Sequence, residues 1–449
     1  MSNIITTDFE SSSAAAWKQK IQFELNGADY NETLLTKTNE GITIKPFYHS
    51  DHFEKLNIPI PKDHFKICCK LLITSEEETN LKALDAINKG SNSIKFEAQK
   101  PFNMDALFNN LLNKKITFHF NLRFLSEEFI NKLNDILKNE TVFFNIDIIG
   151  NLAKTGNWYT SLNVDFKSIE NLIQRNTSTH TLSVNAGLYQ NAGANTVQQV
   201  AYALAHANEY FNKFGGAISN NIQINFAFGS NYFFEIAKIR AFRYLLDLVL
   251  AEYNTKADIQ IFAEPSFRNK TIYNSNINLL RSTNENMSAI LGGSNTIANS
   301  DFDSIFESEN ENNTSLNQLL LLKEDIGLRN PQHITTDCYY IEAITKQIAE
   351  KALIIFKEIE KGGGFLAQLK EGTIQRKIAE NAKKEQEQFN TTELILVGTN
   401  KYRIETEKIK HHFKVSPFNE KKSHKTLIIP VIPKRLAEKL EQKRWRNEA

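Results

Sequence analysis

Cysteine is scarce in this chain: Cys68, Cys69 and Cys338 are the only three in 449 residues. Three thiols cannot build a disulfide framework, and their positions match no zinc-type spacing. Cys68 and Cys69 stand side by side in an apolar run, so on a strand they point to opposite faces. They read as buried thiols in a reducing compartment. A dominant sign of charge is missing too. Lysine and arginine number 53 against 52 aspartates and glutamates, a net charge of +1, which gives no global case for nucleic acid or an anionic membrane. No apolar run approaches the length of a membrane span. Met1 to Ile5 is not a basic segment leading into an apolar core, so no secretory leader is expected and the chain is expected in the cytoplasm. Glycine clusters are rare. Gly362-Gly363-Gly364 lacks the preceding strand and the following Lys-Ser/Thr of a phosphate-binding loop, and reads as a helix C-cap inside a helical hairpin.

What is present is a large core and a regular alternation. Hydrophobic residues make up 41% and charged residues 23%, and the length suits one barrel with extensions. Short β-rich runs fall at 66–73, 93–97, 116–122, 142–149, 180–185, 222–228, 258–263 and 289–297. Amphipathic helical stretches separate them, among them 76–88, 127–137, 196–214 and 233–253. Eight strands joined by helical crossovers predict an α/β fold with parallel strands, an eight-stranded (β/α)8 TIM barrel at 61–390. Flanking it are an N-terminal helix and arm at 1–60 and a C-terminal extension at 391–449, which follows further helices at 339–360 and 375–388.

The strands are not apolar on both faces, as an open doubly wound sheet would require. Ile116, Phe118, Phe120 and Leu122 alternate with Thr117, His119 and Asn121. Ile222, Ile224, Phe226 and Phe228 alternate with Gln223 and Asn225, and Leu182 and Val184 alternate with Thr181, Ser183 and Asn185. The fourth run places Asn145 and Asp147 on one side. Because side chains alternate across a strand, one face meets helices and the other meets the lumen. A polar, hydrated lumen is therefore expected, with its hydrogen bonds satisfied internally, by water or by a ligand along the axis.

Within that lumen His119 and Asp147 stand out. A satisfied buried histidine outweighs a general acid at His119, while a lone Asp147 carboxylate has to be paired, hydrated or protonated. Lys95, on the polar side of a nearby strand, is the expected partner of Asp147. His411, His412 and His424 lie in a lysine-rich tail with no carboxylate or thiolate to complete a coordination sphere, so no metal site is expected. That tail reads as solvated or subunit-contacting.

Five segments carry a family resemblance. Gln190-Asn191-Ala192-Gly193-Ala194 and Asn231-Tyr232-Phe233-Phe234-Glu235-Ile236-Ala237-Lys238-Ile239-Arg240-Ala241-Phe242-Arg243 resemble the QEAGA and NFxxEIAKxRAxR segments of methylmalonyl-CoA mutases. Gly398-Thr399-Asn400-Lys401-Tyr402 is similar to the family's GVNKY, and Arg435-Leu436-Ala437-Glu438 to its RLAEPFE stretch. The run from Leu34 to Tyr48, with Glu40-Gly41-Ile42-Thr43-Ile44-Lys45-Pro46, resembles the TPEGIxIKPLY arm that wraps a partner subunit in mutases.

Departures fall where the family's chemistry lives. HxQTSG corresponds to Phe262-Ala263-Glu264-Pro265-Ser266-Phe267, with Phe262 in place of an imidazole that would hydrogen-bond the thioester carbonyl. GGTQSLHTNSFDEA resembles the run from Gly292 to Asp303, with Ala298 at the histidine position. RIARNTQ aligns weakly with 312–318, where Ser315 replaces an arginine. No Asp-x-His-x-x-Gly, whose histidine ligates cobalt in the family, occurs in the sequence, and the chain is expected to lack the cobalamin-binding domain.

The resemblance implies a small structural subunit of a heterodimeric mutase. Adenosylcobalamin and acyl-CoA would then be bound by the large catalytic subunit, which interconverts methylmalonyl-CoA and succinyl-CoA by radical rearrangement. No catalytic, cofactor-binding or metal residue is assigned to this chain. The lumen candidates for substrate are Gln190, Asn185, Asn225, His119 and Asp147. Two alternatives stay open: a subunit of a related acyl-CoA mutase, such as one acting on isobutyryl-CoA, and a self-sufficient barrel enzyme using His119 and Asp147 as acid–base groups.

Overall fold

The computed structural model describes residues 11–176, 179–299, 314–329, 334–410, 417–418 and 425–448. His411, His412, His424 and the segment 300–313 lie outside the described residues. Eight parallel strands close into a barrel in sequence order: Lys66–Leu72, Ser93–Ala98, Thr117–Leu122, Thr141–Ile146, His180–Asn185, Ile222–Phe228, Gln260–Pro265 and Thr296–Ala298. The eighth strand closes the ring by pairing Ile297 with Ile67. This is the (β/α)8 barrel that the alternation of strands and helices predicts.

Helices start and stop where the side chains dictate. Glu76–Asn88 begins at Ser75, whose hydroxyl accepts from the Glu78 N–H, and three glutamates fill its first turn against the helix dipole. Thr196–Phe214 opens with a reciprocal capping box between Asn195 and Gln198 and stops at Gly215. Tyr339–Lys361 ends at Gly362, and Gly364 opens the next helix, Phe365–Lys370. A Cβ on Gly364 would stand 2.6 Å from Glu209 Oε1, the atom that accepts from the Leu366 N–H. The triple glycine is a hairpin between helices, as its sequence context indicates.

Two strand boundaries differ from expectation by more than two residues. The fourth strand stops at Ile146 rather than running to 149, and Ile148–Thr155 is helical. Asn145 takes a left-handed backbone (φ 50) and the register shifts between Phe143 and Ile146, so the period-two pattern breaks there. The eighth strand is only Thr296–Ala298, because Ala289 and Ile290 belong to the buried side of the helix Asn276–Leu291. Short apolar runs look alike in either state, and Gly293 (φ 86) marks the true break.

Between strands and helices the core is aromatic. Phe96, Phe118, Phe120 and Phe144 form a stacked row with centroids 5.8–6.3 Å apart, met edge-on by Phe108. Phe226 packs on Phe242 of the helix Tyr232–Glu252 at 5.0 Å. Each buried ring contributes about 2 kcal/mol or more, so this layer fixes which strand face turns outward. A buried ion pair between Arg240 and Glu342 ties Tyr232–Glu252 to Tyr339–Lys361.

Two extended segments lie over this frame. In the arm, Thr36–Lys37 pairs with Thr43–Ile44, Ile42 is fully buried, and the Thr43 N–H donates to Gln347 Oε1 of Tyr339–Lys361 at 3.2 Å. Near the C-terminal end of the barrel, residues 425–434 form a strap. Leu427 N donates to Gly156 O, Val431 N to Ala153 O and Lys434 N to Asn191 O, at 2.7–2.9 Å. Ile428 and Val431 are buried, and Leu427, Ile429 and Ile432 are exposed.

Candidate functional site: the barrel axis and its mouth

Strand parity places Lys95, His119, Phe143, Phe262 and Cys68 around the waist of the lumen, and Asn121, Asn145, Asn185, Asn225 and Glu264 toward the C-terminal mouth. The mouth is a cavity of about 240 Å³ that also touches Arg123, Lys154 and Pro433 of the strap.

The waist is aromatic and closed, which corrects the expectation of a uniformly polar, hydrated lumen. The His119 ring stacks on Phe143 at 4.6 Å and meets Phe262 edge-on at 4.9 Å, and His180 also stacks on Phe143, at 4.1 Å. Phe262, Cys68 and Ala298 form a buried cluster of their own. His119 is fully buried, and neither of its ring nitrogens has a hydrogen-bond partner among the described residues. Burial, then the Lys95 and Lys66 ammonium groups, push its pKa well below the ordinary value, so the ring is neutral. Period-two alternation identified the inward-facing positions but not that Phe143 and Phe262 share that parity and both pack against His119.

Above this waist the mouth is charged. Lys95 Nζ lies 3.0 Å and Lys70 Nζ 3.3 Å from Glu264 Oε1. Burial opposes ionisation of Glu264, but the two lysines outweigh it and hold the carboxyl at about 2. Gln223 Nε2 donates to Asn145 Oδ1 and Asn225 Oδ1 at 2.7 and 2.8 Å. Glu264 and Lys70 were missed from the sequence, and the signal was available: Glu264 shares parity with Phe262 and follows it by two.

Asp147 is not the partner of Lys95. After the break at Asn145 its carboxylate turns to the margin of the mouth and caps the helix Ile148–Thr155. It accepts from the N–H groups of Gly150 and Asn185 and from the Tyr210 hydroxyl, at 2.7–2.8 Å. His206 Nε2 lies 3.0 Å from Asp147 Oδ1, and the Tyr189 hydroxyl lies 2.8 Å from His206 Nδ1. Burial would raise the Asp147 pKa, yet His206 and these donors hold it below the usual value. A Cβ on Gly150 would stand 2.1 Å from Asp147 Oδ2, so this turn needs glycine. His119 and Asp147 are thus separated: one is packed in the waist, the other is committed to a structural network.

Gln190 is also outside the lumen. It sits in the short helix Gly187–Ala192, which ends at Gly193 (φ 110) rather than opening the long helix that follows. Its amide joins a buried network in which Gln190 Oε1, Gln199 Oε1 and Ala227 O accept from Lys238 Nζ at 2.7–3.1 Å. Glu235 pairs with the same ammonium. Of the five lumen candidates, Asn185 and Asn225 line the mouth and His119 lines the waist.

Among the described residues no group of three or more His, Cys, Asp or Glu is placed to hold a metal ion, and no helix is long and apolar enough to cross a membrane. The described histidines are His49, His52, His64, His119, His180 and His206, and none lines the mouth. Among the described residues, those around the barrel mouth therefore offer no imidazole to a corrinoid that needs one as a ligand to cobalt.

A family model described as methylmalonyl-CoA mutase matches residues 137–443. The methylmalonyl-CoA mutase small subunit of Porphyromonas gingivalis is 29% identical over 445 residues, covering 88% of this chain and 70% of that protein. The methylmalonyl-CoA mutase of Cereibacter sphaeroides is 29% identical over 246 residues, 51% of this chain and 34% of that protein. The mitochondrial enzyme of Homo sapiens is 26% identical over 241 residues, 51% of this chain and 32% of that protein. The matches to these last two enzymes span about a third of each. The chain belongs to the methylmalonyl-CoA mutase family.

Proposed function

We propose that this chain is the small, structural subunit of a heterodimeric, adenosylcobalamin-dependent methylmalonyl-CoA mutase, and that a large partner subunit binds cofactor and acyl-CoA. One observation carries the reading. Phe262 occupies the barrel axis, buried with Cys68 and Ala298 and pressed against His119, at the level where a substrate threaded along the axis has to pass. A buried phenyl ring neither donates a hydrogen bond to a thioester carbonyl nor leaves room for a long acyl carrier. The relative named as a small subunit, aligned along 88% of this chain, supports the same role. In this reading the chain performs no chemical step; its barrel offers a rigid surface on which the partner's barrel docks.

The test is reconstitution with the large mutase subunit encoded in the same genome. The two proteins are expected to co-elute in size-exclusion chromatography, with turnover of methylmalonyl-CoA in the mixture and none with this chain alone. Turnover by the isolated chain, or failure of the two to co-elute at micromolar concentration, would overturn the assignment.

A further inference from the structure

A second cavity lies where the arm crosses the outer helices, away from the barrel axis. It holds about 430 Å³ between the helix Ala14–Glu24, the arm and the first turns of Tyr339–Lys361. Small-molecule pockets typically measure about 300–1,000 Å³. Five rings line this one: Tyr30, Phe47, Tyr48, Phe53 and Tyr339. Tyr30 is buried, Phe47, Tyr48 and Phe53 are half-buried, and Tyr339 is exposed. Aromatic surface left open in a concave site is where an apolar body can be taken out of water.

The walls are fastened to one another. The Ala14 N–H donates to Asp51 Oδ2 at 2.8 Å, which ties the first helix to the turn Ser50–His52. The Lys45 N–H donates to the Tyr48 hydroxyl oxygen at 3.1 Å. Glu54 pairs with Lys346, and the Phe53 and Tyr48 rings pack on Tyr339 and Tyr340 with centres 5.0 and 5.1 Å apart. Walls already held in place spare a ligand the cost of ordering them.

Net charge does not select the ligand. Lys18, Lys45 and Lys346 line the cavity with Glu54 and Glu342. Arg240 pairs with Glu342, Asp51 stands beside the wall and Glu350 lies 4.0 Å from Lys346, so the two signs are level. Lys18 and Lys45 have no carboxylate partner among the described residues. Their ammonium groups offer attraction to an aromatic face, and Lys18 Nζ already lies 5.0 Å from the centre of the Tyr30 ring. Rings in the wall and ammonium groups at its edge both favour an aromatic guest over an aliphatic one of equal size. Asn31, whose carboxamide hydrogen-bonds no described protein atom, suits a polar substituent on that guest.

We propose that the cavity between the arm and Tyr339–Lys361 binds a small, uncharged, planar aromatic molecule bearing a hydroxyl or amide, held by the lining rings and by Lys18 and Lys45. Such a guest touches the arm and the helix together, so its binding fastens the arm to the barrel. The site goes beyond the subunit assignment and does not depend on it, because binding is read on this chain by itself.

Titration calorimetry on the full chain with 2-naphthol and its saturated counterpart, decahydro-2-naphthol, tests the proposal. 2-Naphthol is expected to bind at one site, at least tenfold more tightly than the saturated alcohol, and to slow amide hydrogen exchange at residues 43–48. Ala343→Phe, which fills the cavity from the helix side, is expected to lose at least tenfold in 2-naphthol affinity. The double variant Lys18→Met/Lys45→Met keeps an apolar wall and alters only exposed side chains. It is expected to bring the two compounds within roughly threefold of each other while the unliganded melting temperature is unchanged. If Ala343→Phe does not fold, the lysine variant and the exchange pattern decide. Undetectable 2-naphthol binding, equal binding of the saturated alcohol, full affinity in a folded Ala343→Phe, an undiminished aromatic preference in the lysine variant, or unchanged exchange at 43–48 would each overturn the site.

Discussion

Lys95 stands over the face of Phe262, its ammonium nitrogen 4.4 Å from the ring centre. The same nitrogen reaches Glu264 Oε1 at 3.0 Å, so one lysine joins the aromatic waist to the charged mouth. A cation over an aromatic face is held electrostatically by the ring quadrupole, and desolvation strengthens that attraction. Phe262 therefore does more than fill space: it is the floor on which the mouth's charges are arranged.

Replacing that floor should be costly. Phe262→Ala removes a fully buried ring and is expected to destabilise the chain by about 3–5 kcal/mol, read from the shift in a urea unfolding curve. Burial pushes the Cys68 thiol up to about 12, which keeps it unreactive in the intact protein. Opening the waist should expose Cys68 to alkylating reagents, with mass spectrometry separating it from Cys69 and Cys338. A variant as stable as the parent, with Cys68 still protected, would show that the ring does not plug the axis.

Glu264 ties stability to acid. Its carboxyl lies at about 2 in the folded chain against an ordinary value of 4.5, because Lys70 and Lys95 outweigh burial. A folded value below the unfolded one means that the stabilisation is complete above about pH 4.5 and is lost as pH falls from there toward 2. Glu264→Gln is expected to cost roughly 3 kcal/mol at neutral pH, since two lysines lose their shared counter-charge, and to cost much less near pH 3. Urea midpoints of parent and variant at both pH values check the sign. A penalty independent of pH would mean that the carboxylate is not ion-paired.

The arm supplies a third test. Ile42 is buried against this chain's own helices, while Leu34, Leu35, Ile44 and Phe47 remain only half-buried. Docking of such partly exposed side chains on a partner would contribute roughly 1.5–3 kcal/mol each. Deleting residues 1–48 is expected to leave the barrel with a cooperative melt, lowered by the loss of Ile42, and to weaken association with the large subunit at least tenfold. Sedimentation of the truncated chain with its partner, beside its own melting curve, decides this. Undiminished assembly together with a lost cooperative transition would assign the arm wholly to this chain's core.

Amino-acid order alone was sufficient for the barrel and for the outward aromatic layer. Alternation in strands such as Thr117–Leu122 and Ile222–Phe228 is a local property, and the outward face is chosen by burial of Phe118, Phe120, Phe226 and Phe228. The same alternation singled out Asn185 and Asn225, which do line the mouth. It failed at Asp147, where one left-handed residue, Asn145, broke the period and handed the carboxylate to His206 rather than Lys95. Gln190, a candidate from the family resemblance rather than from alternation, lies outside the lumen because Lys238 claims its amide.

Local pattern determined which residues face inward; only closure of the barrel decided what they meet there. Glu264 on the seventh strand finds Lys70 on the first and Lys95 on the second, at separations of well over a hundred residues along the chain. Phe262 reaches His119 across the axis in the same way. Contacts between strands that are distant in sequence are set by shear and register around the ring, which no single strand encodes. A plugged waist beneath a charged mouth is a property of the closed ring.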